Sequence, residues 1–188
     1  MTAAKLRLAI VGCGDVLYRH YLPALEALGD RVTIRALVDP RSNAAAAAAD
    51  AVRAWSPAAA PFTDLDVMLR RDDVDAAIDL TPAPRHGEVN QAILEAGLHL
   101  YSEKPLASSV ADADRLIATA AERGVVFLCA PGSAATKRFR WMAEVIASGR
   151  YGSPTLAVAH HADPGPAAWR EYTGDPSPFY RAGVGPVF

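Results

Sequence analysis

The residues best suited to chemistry lie where short apolar runs end. Gly12-Cys13-Gly14-Asp15-Val16 follows the run Leu6 to Val11 and opens a segment of helical spacing. A first glycine permits a tight turn there. A second lets the backbone approach a phosphate at a helix N-terminus, where unbonded N–H groups and the helix dipole favour an anion. A pair of glycines alone also fits a plain strand-to-helix turn. Asp39 raises the odds of a nucleotide site. It ends the next apolar run, Val32 to Val38, about 20 residues further on, where a carboxylate can accept hydrogen bonds from an adenosine ribose. Such a carboxylate repels a 2′-phosphate and so favours NAD over NADP. Arg41, two residues later, pulls the other way, because it can pair with that phosphate or stack on adenine.

Three further groups sit after strand-like runs. Thr81-Pro82 closes Val74 to Leu80; the proline removes a ladder donor, and Thr81 either faces a nicotinamide or simply stops the strand. His86, in the first turn of the next helix, is expected to be a surface or capping residue unless a cofactor recruits it. Glu103-Lys104-Pro105 follows His99 to Ser102. Lys104 there can bond a substrate hydroxyl or take part in its proton transfer, or it can belong to a salt-bridged turn.

The elements that must position these groups alternate in type. Strand runs at Leu6 to Val11, Val32 to Val38, Val74 to Leu80, His99 to Ser102 and Val125 to Cys129 are separated by helical segments. Those helices are expected at Tyr18 to Leu28, Ser42 to Trp55 (capped by Ser42 or Asn43), within Phe62 to Arg71 (capped by Thr63 or Asp64), Arg85 to Ala96 and Ser109 to Arg123. Alternation of this kind predicts an α/β fold: a doubly wound parallel sheet covered on both faces, with ligands at the carboxyl ends of its strands. The pattern changes near Pro131. Residues 1–131 are therefore read as a Rossmann domain for NAD(P). Residues 132–188 are read as the start of a second domain, expected to be incomplete. That second part holds a helix at Thr136 to Ser148, a strand at Thr155 to His161, and an aromatic group (Trp169, Tyr172, Phe179, Tyr180) more suited to packing than to binding.

Composition narrows the class. The chain has 188 residues, 51% hydrophobic and 21% charged, with a formal net charge of −2 and scattered basic residues, which argues against nucleic acid as a partner. No run is long and apolar enough to span a membrane, and no signal peptide is recognised at Met1 to Arg7. Cys13 and Cys129 make no disulfide framework, so a cytoplasmic setting is expected. Adjacent His160 and His161 would point to opposite faces of a strand and make a poor metal pair, so no metal is expected. A nucleophile elbow and a lysine-containing phosphate loop are both absent.

Taken together, these motifs resemble the Gfo/Idh/MocA oxidoreductases. The resemblance rests on Gly12-Cys13-Gly14, His20-Tyr21-Leu22-Pro23-Ala24-Leu25, Asp39, Thr81-Pro82 with His86, and above all Glu103-Lys104-Pro105-Leu106-Ala107. It continues through Ile146-Ala-Ser-Gly149-Arg-Tyr-Gly152 to Gly183-Val-Gly185-Pro186. It implies hydride transfer between NAD or NADP and a hydroxyl or carbonyl of a sugar, inositol or related polyol. It also implies that Lys104 is catalytic, and that Gly12, Gly14, Asp15, Val16, Asp39, Arg41, Thr81, Pro82, His86, Glu103 and Pro105 hold the cofactor. It further implies that residues 132–188 begin an α+β substrate and oligomerisation domain, with a homo-oligomer through that domain's sheet. The chain departs from the family in placing Leu17 where a small residue is usual, and in stopping at Phe188, where an Asp-x-Gly-x-His-type motif is expected to begin. A non-catalytic cofactor-binding module is the rival reading. A methyltransferase, which shares the glycine turn, is disfavoured by Glu103-Lys104-Pro105.

Overall fold

Strands that are apolar on both faces must be covered on both faces, and that requirement organises the molecule. The structure is a computed structural model that describes residues 4–132 and 136–160, with Ala162, Gly165 and Ala168. Six parallel strands form one sheet: β1 (Leu6–Val11), β2 (Val32–Val38), β3 (Ala60–Phe62), β4 (Ala76–Asp79), β5 (His99–Ser102) and β6 (Phe127–Cys129). Their order is β3-β2-β1-β4-β5-β6, the doubly wound arrangement. The helices are α1 (Leu22–Ala27), α2 (Ser42–Val52), α3 (Leu65–Leu69), α4 (His86–Glu95), α5 (Val110–Arg123) and α6 (Lys137–Ala147).

Two apolar layers flank the sheet. Leu8 and Ile10 of β1 pack with Ile34, Ala48 and Val52 on one face; Ala9 and Val11 pack with Val89, Ile93, Leu94 and Leu116 on the other. Each large side chain so buried contributes roughly 1.5–3 kcal/mol. The alanine run of α2 lets that helix lie close, with Ala45, Ala48 and Ala49 buried against the sheet.

Several expected boundaries move. Phe62 belongs to the short strand β3, which pairs with β2, and the helix after it covers only Leu65–Leu69. Three residues are too few to show a period, so β3 is invisible in the sequence. Asp64 caps α3 by accepting from the Val67 N–H, as one of the two expected candidates. For α2, neither Ser42 nor Asn43 is the cap; Arg41 holds that position, and no side chain makes a capping bond. Helix α6 starts where expected, with Thr136 accepting from the Phe139 N–H. The strand expected at Thr155 to His161 does not form over its described part: among the described residues, 155–160 pair with no other segment. β-branched residues favour a strand only when a ladder partner is present. His161 and the aromatic group from Trp169 to Tyr180 lie outside the described residues. Leu17, where a small residue was expected, is fully buried. The helix opens there into a π-helical turn, Leu17–Tyr21, closed by the Leu22 N–H donating to the Leu17 carbonyl.

At the amino ends of the strands, charge pairs tie β1 and β2 to the loop before β4. Arg7 pairs with Asp75 at 2.6 Å, and Asp73 takes Arg35 at 2.7 Å and Arg71 at 2.5 Å. Bonding from Arg71, then from Arg35, outweighs partial burial and holds the Asp73 carboxyl down at about 2. A carboxyl lowered on folding stabilises the fold above its unfolded pKa, near 4, and loses that contribution as pH falls toward 2. Asp73→Asn is therefore expected to lower stability at pH 7 by on the order of 1 kcal/mol, given partial exposure and solvent screening. Urea melts should show this difference shrinking from pH 4 downward; an unchanged difference at pH 2 would contradict the assignment.

Candidate functional site

Strand order reverses between β1 and β4, so the turns leaving these two strands part to opposite faces and open a crevice at their carboxyl ends. Three loops border it: Gly12–Val16 after β1, Thr81–Arg85 after β4, and Glu103–Ala107 after β5.

Gly12 sets how closely the first two approach. Its φ is +96°, and a Cβ there would lie 2.7 Å from the Leu80 carbonyl carbon and oxygen and 2.9 Å from the Thr81 nitrogen. Its N–H donates to the Val38 carbonyl at 2.8 Å, and the Leu80 N–H donates to the Val11 carbonyl at 2.7 Å. Gly14 differs: a Cβ there meets nothing within 4 Å. The N–H groups of the first helical turn have no carbonyl one turn back to bond. The open space at Gly14 thus lies beside unbonded donors, which suits a pyrophosphate. Asp15 pairs with Arg19 one turn along at 2.5 Å, and Val16 packs on the core.

Asp39 is buried and fully engaged. Its Oδ2 accepts from the Cys13 N–H at 3.0 Å and Arg41 Nη2 at 2.9 Å; its Oδ1 accepts from Arg41 N at 3.0 Å and Nε at 2.9 Å. Burial pushes the carboxyl up, but the bonds from Arg41 and Cys13 prevail and leave it below its ordinary value. Burial, with Asp39 beside it, pushes the Cys13 thiol up to about 12, so it is no thiolate at neutral pH.

Thr81 directs both its N–H (2.9 Å) and its hydroxyl (2.6 Å) to Oδ1 of the buried Asp79. Burial raises the Asp79 carboxyl, and its Oδ2 is buried with no partner. Pro82 leads into a single 3-10 turn, Ala83–Arg85. His86, expected at the surface or in a cap, is instead 1% exposed. Its ring nitrogens lie 2.8 Å from the Thr81 carbonyl and 2.5 Å from the Pro105 carbonyl. Both carbonyls only accept, so a ring protonated on both nitrogens donates to each, and a neutral ring donates to one of them.

Glu103 is held from two sides. Its Oε1 accepts from the Tyr21 hydroxyl at 2.7 Å, and its Oε2 accepts from the Lys104 N–H at 3.0 Å. Tyr21 sits edge-on to Tyr101, with ring centroids 6.2 Å apart. Burial, then the bond to Glu103, raises the Tyr21 hydroxyl far above its ordinary value, so it remains a donor. Lys104 is exposed, and the peptide bond between it and Pro105 is cis. Among the described residues no acceptor holds its ammonium group. Beneath this loop, Asn90 Nδ2 donates to Ser102 Oγ at 2.9 Å and to the Leu106 carbonyl at 3.2 Å. The expected residues therefore gather at one end of the sheet. Asp79, Asn90 and Ser102 were missed. For Asn90 a signal existed: it lies one turn after His86, on the face that carries Val89 and Ile93.

The protein-family model described as "Oxidoreductase family, NAD-binding Rossmann fold" matches residues 6–130. The chain belongs to this family. It is 34% identical over 134 residues to a dTDP-3,4-didehydro-2,6-dideoxy-α-D-glucose 3-reductase from Actinomadura kijaniata, covering 67% of this chain and 36% of that protein. A crystal structure of a 3-ketoreductase from the same organism, with TDP-benzene and NADP, superposes with a TM-score of 0.67 at 31% identity, covering 79% of this chain and 45% of that one. The WlbA dehydrogenase from Bordetella pertussis, with NADH and UDP-GlcNAcA, gives 0.68 at 30% identity over 79% and 44% of the two chains. The chain thus spans less than half the length of these proteins. No described helix is long and apolar enough to cross a membrane, and no cluster of metal ligands occurs among the described residues.

The two glycines make separable predictions. Gly12→Ala is expected to lower stability by roughly 2–4 kcal/mol, from positive φ and backbone overlap. Gly14→Ala should stay within about 1 kcal/mol of the parent. Denaturant melts of both variants test this; equal losses would remove the special role given to Gly12.

Proposed function

We propose that this chain is the cofactor-binding part of an NAD(P)-dependent oxidoreductase that interconverts a hydroxyl and a carbonyl group on a sugar, with sugar nucleotides the favoured substrate class. The observation that carries the reading is Lys104, exposed at the carboxyl end of β5 on a loop whose Glu103 is bonded to Tyr21 in the helix that follows the glycine turn. The relatives support it, since two of them hold a nicotinamide cofactor together with a nucleotide ligand. On this reading, residues 1–131 form the cofactor domain and 132–188 begin a substrate domain.

The roles follow from position. Gly12 brings β1 and β4 together, and the open side of Gly14 takes the pyrophosphate. Asp15 and Val16 open the helix whose N-terminus faces it. Asp39 and Arg41 meet the adenosine ribose. Thr81, Pro82, Glu103 and Pro105 frame the nicotinamide end. When bound, the nicotinamide supplies or accepts the hydride. Lys104 donates a proton to the substrate oxygen as a carbonyl is reduced, or withdraws it as a hydroxyl is oxidised.

Coenzyme choice rests on Asp39 and Arg41. NAD remains favoured by the buried carboxylate. Arg41, however, already balances that charge, and its side chain is 65% exposed and reachable by a 2′-phosphate. Arg41→Ala is therefore expected to weaken NADPH by about tenfold and NADH by much less, as a charge-assisted contact is lost. Fluorescence titrations with both coenzymes measure this; equal losses would place Arg41 outside the ribose site.

Lys104→Ala should lower turnover by about 100-fold or more while leaving NADH affinity nearly unchanged, as expected for a group acting at the substrate oxygen. Unaltered turnover would overturn the catalytic role. The second reading is a binding module without catalysis. It is motivated by the lack of any strand pairing over residues 136–160 that could back a substrate pocket. NADH binding with no turnover of any keto-sugar nucleotide would favour it.

A further inference from the structure

His86 and Asn90 lie one turn apart on α4, so their side chains leave the same face of the helix. Both are buried, at 1% and 0% exposure, on a face otherwise made of Val89, Ile93 and Leu94. Polar groups placed in such a wall must be bonded, and where they bond shows what they do. Asn90 serves one loop: it bonds Ser102 Oγ and the Leu106 carbonyl, and Ser102 Oγ donates onward to the Glu103 carbonyl at 3.0 Å. The Asp79 side chain serves the other loop, through the Thr81 N–H and hydroxyl. His86 serves both. One ring nitrogen lies 2.8 Å from the Thr81 carbonyl and the other 2.5 Å from the Pro105 carbonyl, so a single rigid ring spans from the β4 loop to the β5 loop, donating to both carbonyls when both nitrogens carry protons and to one otherwise.

We infer that His86 is a positioning residue that couples the Thr81–Pro82 loop to the Glu103–Pro105 loop, so that the wall of the cofactor crevice and Lys104 keep a fixed relation. Among the described residues its ring lies against the two loop carbonyls, and it acts through Thr81 and Pro105. Its expected effect on cofactor affinity rests on the oxidoreductase reading; the coupling of the two loops does not.

Hydrogen exchange on this chain, without cofactor, tests the coupling. His86→Ala is expected to speed exchange about tenfold in residues 80–86 and also in residues 102–107, with β1 and β2 unchanged. Asn90→Ala should speed only 102–107. His86→Gln restores donors that reach one carbonyl, so it should recover one loop and leave the other fast; it also fills the site if the alanine variant fails to fold. Loss confined to one loop in His86→Ala overturns the coupling. So does unchanged exchange in both loops, or equal acceleration through β1 and β2. NADH titration of the same proteins separates the two ideas. The His86→Ala variant should bind about tenfold more weakly than the parent, an effect equivalent to about 1.4 kcal/mol. If the parent binds no NADH, the cofactor reading fails, while the exchange data still decide the coupling.

Discussion

The crevice depends on a contact between two backbones. At Gly12 the turn leaving β1 lies so near Leu80 and Thr81, just after β4, that no side-chain atom fits between them. The neighbouring strand ladders then fix everything else at that end of the sheet. β2 is held in register with β1, which places Asp39 under the Cys13 N–H, and β5 is held in register with β4, which places Glu103 beyond Ser102. Apolar burial on both faces makes the sheet stable. The missing Cβ makes it converge at that point.

Around that contact lie two separate sets of polar bonds. Asp39, Arg41 and Cys13 form one, on the β2 side. Asp79, Thr81, His86, Asn90 and Ser102 form the other, beneath the β4 and β5 loops. Each is largely satisfied, as buried polar groups must be. Asp79 Oδ2 and Asn90 Oδ1 are exceptions, both buried without partners in the second set. Burial accordingly raises the Asp79 carboxyl, whereas four donors lower that of Asp39. Two aspartates at equivalent strand ends thus differ through their surroundings alone.

Much of the cofactor end was legible in the sequence. β2 runs over the expected Val32–Val38 and α6 begins after Thr136, because strong periodicity and a capping threonine are local signals. Glycines and charged groups after apolar runs pointed to the end of the sheet where the structure gathers them. What was hidden depended on distant partners. β3 exists only because β2 offers it an edge, and His86 is buried only because α4 packs against loops that end elsewhere in the chain. Tyr21 stood within the motif without a role until the fold brought Glu103 to its hydroxyl. Thr155 to His160 shows the converse: a short apolar run makes no strand where no described segment pairs with it.

The two polar sets share no side chain, and this has a consequence for how the protein can change. On the proposed reading, substitutions on the β2 side can alter which coenzyme is preferred without disturbing a described bond of the other set, and changes around α4 can retune the Lys104 end while the β2 side stays as it is. A lineage, or an engineer, can then exchange one coenzyme for another independently of the reaction. Gly12 does not share that freedom, because it stands where the two sets meet and has no room for a side chain.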